Sequence, residues 1–207
     1  MASIDADYVK ANRIMPYSDL SYYYIGGQEI TDTSDGPGYG IQGGGIVQVC
    51  WGRFDSVITW SITSSGTTVG NFFQVQISPR RSTNKMLVYT QWSGEFNSTH
   101  NMTFGITRQV GSNSTTIGPT SGDGNRNSGI APPYMSYAAA AANSVSTPEA
   151  AVYWTLDQPN TTSTIQYFPW VKTDTNRTMY INSTVTDGNS NQYERMICTM
   201  MVWEVSF

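Results

Sequence analysis

The chain holds one histidine, His100, within Asn97-Ser98-Thr99-His100-Asn101. Proton transfer near neutral pH therefore has a single imidazole to draw on. A serine partnered with it would sit on a strand-to-helix elbow, and no Gly-x-Ser-x-Gly spells one. One histidine and two distant cysteines, Cys50 and Cys198, are too few ligands for a zinc centre. Asp123-Gly124-Asn125-Arg126-Asn127 and Asp187-Gly188-Asn189-Ser190-Asn191 both begin as a calcium loop begins. Neither continues as one. The sixth position is Ser128 or Gln192 where glycine is needed, and the twelfth is Tyr134 or Cys198 where a bidentate glutamate is needed. Asp-Gly and Asn make turns in their own right. Glu95, Asp157 and Glu204 lie near strand ends. A glycosidase would need two such carboxylates at a set separation, and caps or hairpin contacts account for them equally well. Gly43-Gly44-Gly45 precedes a strand, whereas a phosphate loop follows one and opens a helix. The expectation is no enzyme, no cofactor and no metal.

Binding chemistry is also restricted. The net charge is -4 and no basic cluster exceeds Arg80-Arg81, which argues against nucleic acid. No stretch has the length of a membrane span. Met1-Ala2-Ser3-Ile4-Asp5 lacks a basic start before an apolar core, so no signal peptide is expected. In a reducing compartment Cys50 and Cys198 read as two buried thiols, or as a cross-strand bridge if the first and last core strands are neighbours. Trp60, Trp92, Trp154 and Trp170 read as core or interface residues, with sugar platforms as the rival.

The elements that would carry these residues are strands. Only 13% of residues are charged, and Thr, Ser, Asn, Gly and Tyr take their place, a mix that suits strands, turns and uncharged wet surfaces. Nine strands are predicted: Ile46–Trp51, Val57–Thr63, Phe72–Ile77, Lys85–Trp92, Met102–Gln109, Ala151–Leu156, Thr164–Val171, Thr178–Val185 and Arg195–Val205. Turn chemistry separates them at Ser65-Gly66, Ser78 to Ser82, Gly111-Ser112-Asn113 and Asp187-Gly188-Asn189. Strands at this spacing define an all-β sandwich or jelly roll. Ala138–Ala142, in a longer polar insertion, fits either a short helix or a tight subunit contact.

The last strand carries the main functional signal. Met196, Cys198, Met200 and Val202 lie on one face, and Ile197, Met201, Trp203 and Val205 on the other. A sandwich core buries only one face of a strand. The simplest cover for the second is another copy of the chain. The candidate subunit interface is therefore Ile46, Val49, Trp51, Ile197, Met201, Trp203 and Val205.

Several passages from residue 43 to the end resemble a known family. Gly45-Ile46-Val47-Gln48-Val49 looks like the opening strand of many phage virion proteins. Similar passages follow in order: Ile77-Ser78-Pro79 to Lys85-Met86-Leu87-Val88, Phe104 to Arg108 with Thr116-Ile117-Gly118, Leu156 to Ser163, Met179 to Asn182, and Cys198 to Val205. The resemblance implies a C1q/TNF-like jelly-roll head over 43–207, usually a homotrimer, with first and last strands adjacent in the inner sheet. It implies a virion location, with assembly in the host cytoplasm. Such heads are found on capsid surfaces and at fibre tips. Without a collagen-like or coiled-coil stalk before the head, a trimeric capsid decoration or cement protein is favoured. Its partners are then itself and the major capsid protein or other virion proteins, with no nucleic acid and no membrane. The alternative is the receptor-binding head of a tail or capsid fibre recognising host surface glycans.

Residues 1–42 form an extended N-terminal arm by composition. Ser3 suits the cap of a short helix over Ile4–Ile14, before Pro16 and a Gly-rich run. Tyr8, Tyr17, Tyr22, Tyr23 and Tyr24 are candidate virion-docking residues, since tyrosine offers large contact area at low entropic cost. The arm either folds back on its own domain or docks on a partner. A chain starting at Gly43 is expected to stay folded and trimeric but to lose binding to bare particles, measured by co-sedimentation. Aggregation and a lowered melting temperature would instead mean that the arm covers a strand edge of its own domain.

Overall fold

In the computed structural model, stretches rich in β-branched and aromatic residues form strands, and no helix occurs among the described residues. Those residues are 22–25, 28–31, 45–63, 67–96, 101–119, 126–132, 148–191 and 193–206. The predicted helix over Ile4–Ile14, the turn at Ser65-Gly66, His100 and Ala138–Ala142 lie outside them. The chain divides into two units, Met1–Gly44 and Gly45–Phe207. In the first unit, strands β1 (Tyr22–Ile25) and β2 (Gln28–Thr31) pair antiparallel, from Tyr22 opposite Thr31 to Ile25 opposite Gln28.

The second unit is a two-sheet sandwich. Its strands are β3 (Ile46–Phe54), β4 (Ile58–Ile62), β5 (Thr67–Val69), β6 (Val75–Ile77), β7 (Lys85–Phe96), β8 (Met102–Val110), β9 (Asn113–Ile117), β10 (Glu149–Asp157), β11 (Ile165–Thr173), β12 (Arg177–Ile181) and β13 (Cys198–Val205). The larger sheet runs β3-β13-β7-β12-β4, with β10 also paired to β7. Residues 86–91 of β7 pair with both β10 and β13, so these two lie on opposite edges of it. β12 takes over from β13 at Gly94–Phe96. The smaller sheet runs β5-β11-β8-β9, with β6 also on β11.

Between the sheets lies an aromatic core centred on Trp92, which is fully buried. Trp60 stacks on it at 5.4 Å, and Phe72, Phe73 and Phe104 surround it at 6.0–6.1 Å. A buried indole N–H needs an acceptor. Trp92 Nε1 donates to Tyr153 Oη (2.9 Å), which donates to the Gly105 carbonyl (3.0 Å). Gly105 belongs to the opposite sheet, so this chain of bonds spans the core. On the outer side of Gly105 a Cβ would stand 2.1 Å from the Trp170 ring, so only glycine lets that indole lie flat there.

Some strand boundaries differ from expectation for local reasons. The strand predicted to reach Val185 stops at Ile181, because Asn182 turns into the left-handed region at φ 60. β7 continues past Trp92 to Phe96 through Gly94, where a Cβ would stand 2.1 Å from the Tyr180 carbonyl oxygen. The terminal strand begins at Cys198, not Arg195. Two short strands, Thr67–Val69 and Asn113–Ile117, were not anticipated; the second is nearly all polar, with four exposed residues ahead of buried Ile117.

Asn182 sits where β13 gives way to β12 along β7. Its Nδ2 donates to the carbonyls of Phe54 (2.8 Å) and Ser56 (3.1 Å), its N–H donates to Ser93 O (2.9 Å), and its Oδ1 accepts from the Cys198 thiol (3.2 Å). Asn182→Ala is expected to cost about 2–4 kcal/mol, by orphaning two carbonyls and holding a side chain with no local hydrogen bond at positive φ. Asn182→Gly, free of the backbone penalty, is expected to cost less. Urea unfolding measures both.

Candidate functional site: the outer face of the large sheet

Side chains alternate across a strand, so register assigns each to a face. On β13, Cys198, Met200 and Val202 are buried, while Met201, Trp203 and Val205 are half-buried on the other side. The expected division of this strand into two apolar faces is thus what the fold shows. Across the outer face, Leu156, Leu87, Trp203 and Val49 form one row over β10, β7, β13 and β3. Trp154, Tyr89, Met201 and Trp51 form the next. Val152, Gln91, Thr199 and Arg53 form a third, polar in its middle. Ile46, opposite Val205, extends the apolar face at the bulge between Glu204 and Val205.

Exposure is uneven over this face. Trp51 (66%) and Trp154 (65%) stand at its two edges, and Ile46 (63%) also lies at the β3 edge. Tyr89 and Trp203, in the middle, pack edge-to-face at 6.4 Å. Four strands make the face about 19 Å wide at ~4.8 Å per strand. An exposed aromatic and aliphatic patch of this extent makes the face a candidate interaction site.

The structure brings Ile46, Val49, Trp51, Met201, Trp203 and Val205 together on this face, with exposed Ile197 just ahead of β13. Sequence reasoning missed Val152 and Leu156 of β10 and Leu87 and Tyr89 of β7, and named Trp154 only among tryptophans of core or interface, not on this face. The signal was present, because Val152, Trp154 and Leu156 alternate with Ala151 and Tyr153, leaving β10 apolar on both faces. Of the four tryptophans assigned to core or interface, Trp92 and Trp170 are buried, Trp60 is partly buried and Trp154 is exposed on this face. Tyr22, Tyr23 and Tyr24 lie in β1 with side chains outside the described residues, as are Tyr8 and Tyr17 entirely.

The groups considered for chemistry have structural partners. Cys198 lies opposite Phe54 and Cys50 opposite Val202, about 14 Å apart along neighbouring strands. Both are free thiols rather than a bridge, and burial pushes Cys198 up to about 11. Asp187 pairs with Arg195 through both carboxylate oxygens. Among the described residues no three metal-ligating side chains cluster. Asp157 accepts from Arg108 and Tyr167, each at 2.7 Å, and so ties β10 to the opposite sheet. Buried Glu204 accepts from Gln48 Nε2 (2.5 Å), Asn84 Nδ2 (2.6 Å) and the Arg80 and Arg81 N–H groups. Burial raises the Glu204 pKa, but these hydrogen bonds outweigh it and hold the carboxyl below its usual range.

No protein-family model and no curated protein matches this chain.

Glu95 and Glu149 behave differently from those carboxylates. Glu149 accepts from the Phe96 N–H (2.9 Å) and Glu95 from the Val185 N–H (2.6 Å). Burial raises both, and the Glu95 charge adds to the effect on Glu149, which is pushed up to about 7. Between its unfolded and folded pKa values such an acid is protonated in the native state and ionised in the unfolded one. Stability from this group therefore falls as pH rises from about 4.5 to about 7 and is level outside that window. The ceiling is about 3 kcal/mol, reduced to about 1–2 kcal/mol by solvent screening of a partly exposed carboxyl. Glu149→Gln is expected to flatten the pH 4.5–7 slope, followed by urea midpoints across that range.

Proposed function

We propose that this protein is a virion structural protein that works as a homotrimer, most simply a capsid decoration or cement protein. The observation that carries the reading is the apolar outer face of β10-β7-β13-β3. Its edges carry the most exposed side chains, Trp51 and Trp154, while its middle is already half-shielded. A two-fold face-to-face stack buries the middle best. A ring of heterologous contacts brings one edge of each copy against the other edge of its neighbour, which suits these exposures.

The strand order supports the jelly-roll head of the C1q/TNF-like kind that the sequence resembles. Leaving aside the β4–β12 pair, successive strands alternate between the sheets except for the β8–β9 hairpin and for β5 and β6, which both pair with β11, and first strand β3 lies beside last strand β13. In this reading the protein's work is contact. Apolar burial between copies makes a rigid unit, and that unit bridges capsid subunits against internal pressure.

Light scattering of the full chain is expected to give three times the 22.8 kDa chain mass. Trp154→Asp changes an exposed edge residue, so the isolated chain should stay folded while the assembly dissociates. Met201→Asp, closer to the centre, is expected to cost about 3–5 kcal/mol of assembly by burying an unpaired charge. A stable wild-type monomer refutes the trimer. The capsid role is read from particles lacking the protein, which should lose heat resistance and regain it when wild-type protein, but not Trp154→Asp, is added back.

A further inference from the structure

The outer face of the smaller sheet has the opposite character. Register places Phe168, Thr107 and Thr116 in one row across β11, β8 and β9, and Gln166, Gln109 and Ser114 in the next. The turn after β5 rises beside them and carries Asn71. All of these but Gln166 line, with Val69, an open hollow of about 290 Å³ in which Phe168 and Val69 are the apolar part. That is at the lower end of small-molecule sites, about 300–1,000 Å³, and suits one ring-sized group.

The lining chemistry narrows the ligand class. No charged residue contributes to the hollow, which gives nothing to a phosphate, a nucleotide or a metal ion. Three hydroxyls, on Thr107, Ser114 and Thr116, can each donate and accept, and two amides, on Asn71 and Gln109, add both functions. Gln109 Nε2 is committed to the Gly111 carbonyl at 2.9 Å, which fixes the amide and leaves its oxygen as an acceptor. The hydroxyls and the Asn71 amide make no side-chain hydrogen bond to another described residue, so their capacity is unspent. A ligand that fits has one apolar face and a ring of hydroxyls, which is the chemistry of a neutral hexopyranose. Most of the donors sit on paired strands and not on loops, so little ordering is needed on binding.

We propose that this hollow is a subsite for a neutral sugar ring. It lies on the sheet that association through the apolar face leaves open, so an assembly would present several copies and gain avidity. The subsite itself does not depend on the oligomer reading. A single ring bound this way is expected to show affinity of about 1 mM.

The test uses the full-length protein and saturation-transfer difference NMR. The probes are glucose, galactose, mannose and N-acetylglucosamine trisaccharides, with sialyllactose as the charged comparison. At least one neutral probe should receive saturation from the wild type. Thr116→Arg and Ser114→Trp alter exposed positions of an edge strand, and each should weaken that binding by about tenfold or more. The Trp154→Asp variant should bind each ring as the wild type does, which separates failure of the subsite from failure of the assembly. No transfer to any neutral probe, transfer unchanged in both hollow-filling variants, or preference for sialyllactose at the same hollow would each overturn the proposal.

Discussion

The sandwich is tied across its core by hydrogen bonds that begin at one buried N–H. Trp92 is the centre of the aromatic core, and its indole would be costly to bury without an acceptor. Tyr153 supplies that acceptor and passes its own proton to the Gly105 carbonyl of the facing sheet. Three strands from two sheets are thereby fixed in register, not merely packed. Gly105 serves twice: its inner side offers the carbonyl, and its missing side chain lets Trp170 cover the outer side. Burial also pushes the Tyr153 phenol well above its ordinary range, which favours the protonated form that the relay needs.

Charges in this charge-poor chain are concentrated on holding ends together. Glu204 closes the last strand onto the 80–84 loop and β3. Asp157 lies opposite Met86 on one edge of β7 as Glu204 does on the other, and it binds Arg108 and Tyr167 of the facing sheet. At the far end of β7, Glu95 and Glu149 tie down the 182–185 turn and the start of β10. The first two sites hold anions by abundant donors. The last holds two acids with too few donors, so it favours the protonated form.

The two outer faces divide the molecule by chemistry. One is aromatic and aliphatic, widest in exposure at its edges; the other carries an uncharged polar hollow beside Phe168. Strand alternation produces this contrast from a single core, because most inward positions are apolar in both sheets while the outward positions vary independently. The proposed assembly and the proposed sugar subsite thus use faces that do not compete.

The all-β class was legible in the sequence because alternation, β-branched residues and turn dipeptides act locally. The doubly apolar β13 could also be read there, since a period of two assigns faces without a partner. Met201 and Trp203 were found that way, and the same reading applied to Val152, Trp154 and Leu156 would have found β10. Apart from the adjacency of first and last strands, which the resemblance implied, what lay beyond the sequence is which strands stand side by side. Register alone aligns Trp154 with Tyr89, Met201 and Trp51 across four strands. It also separates Cys50 from Cys198 although they occupy adjacent strands, and gives Glu204 its four donors from two distant segments. The hollow on the smaller sheet had no sequence signal, because Thr107, Ser114 and Phe168 are ordinary strand residues until pairing places them together. Local propensity decides that a segment is extended; long-range pairing decides its neighbours, and the neighbours make the surface.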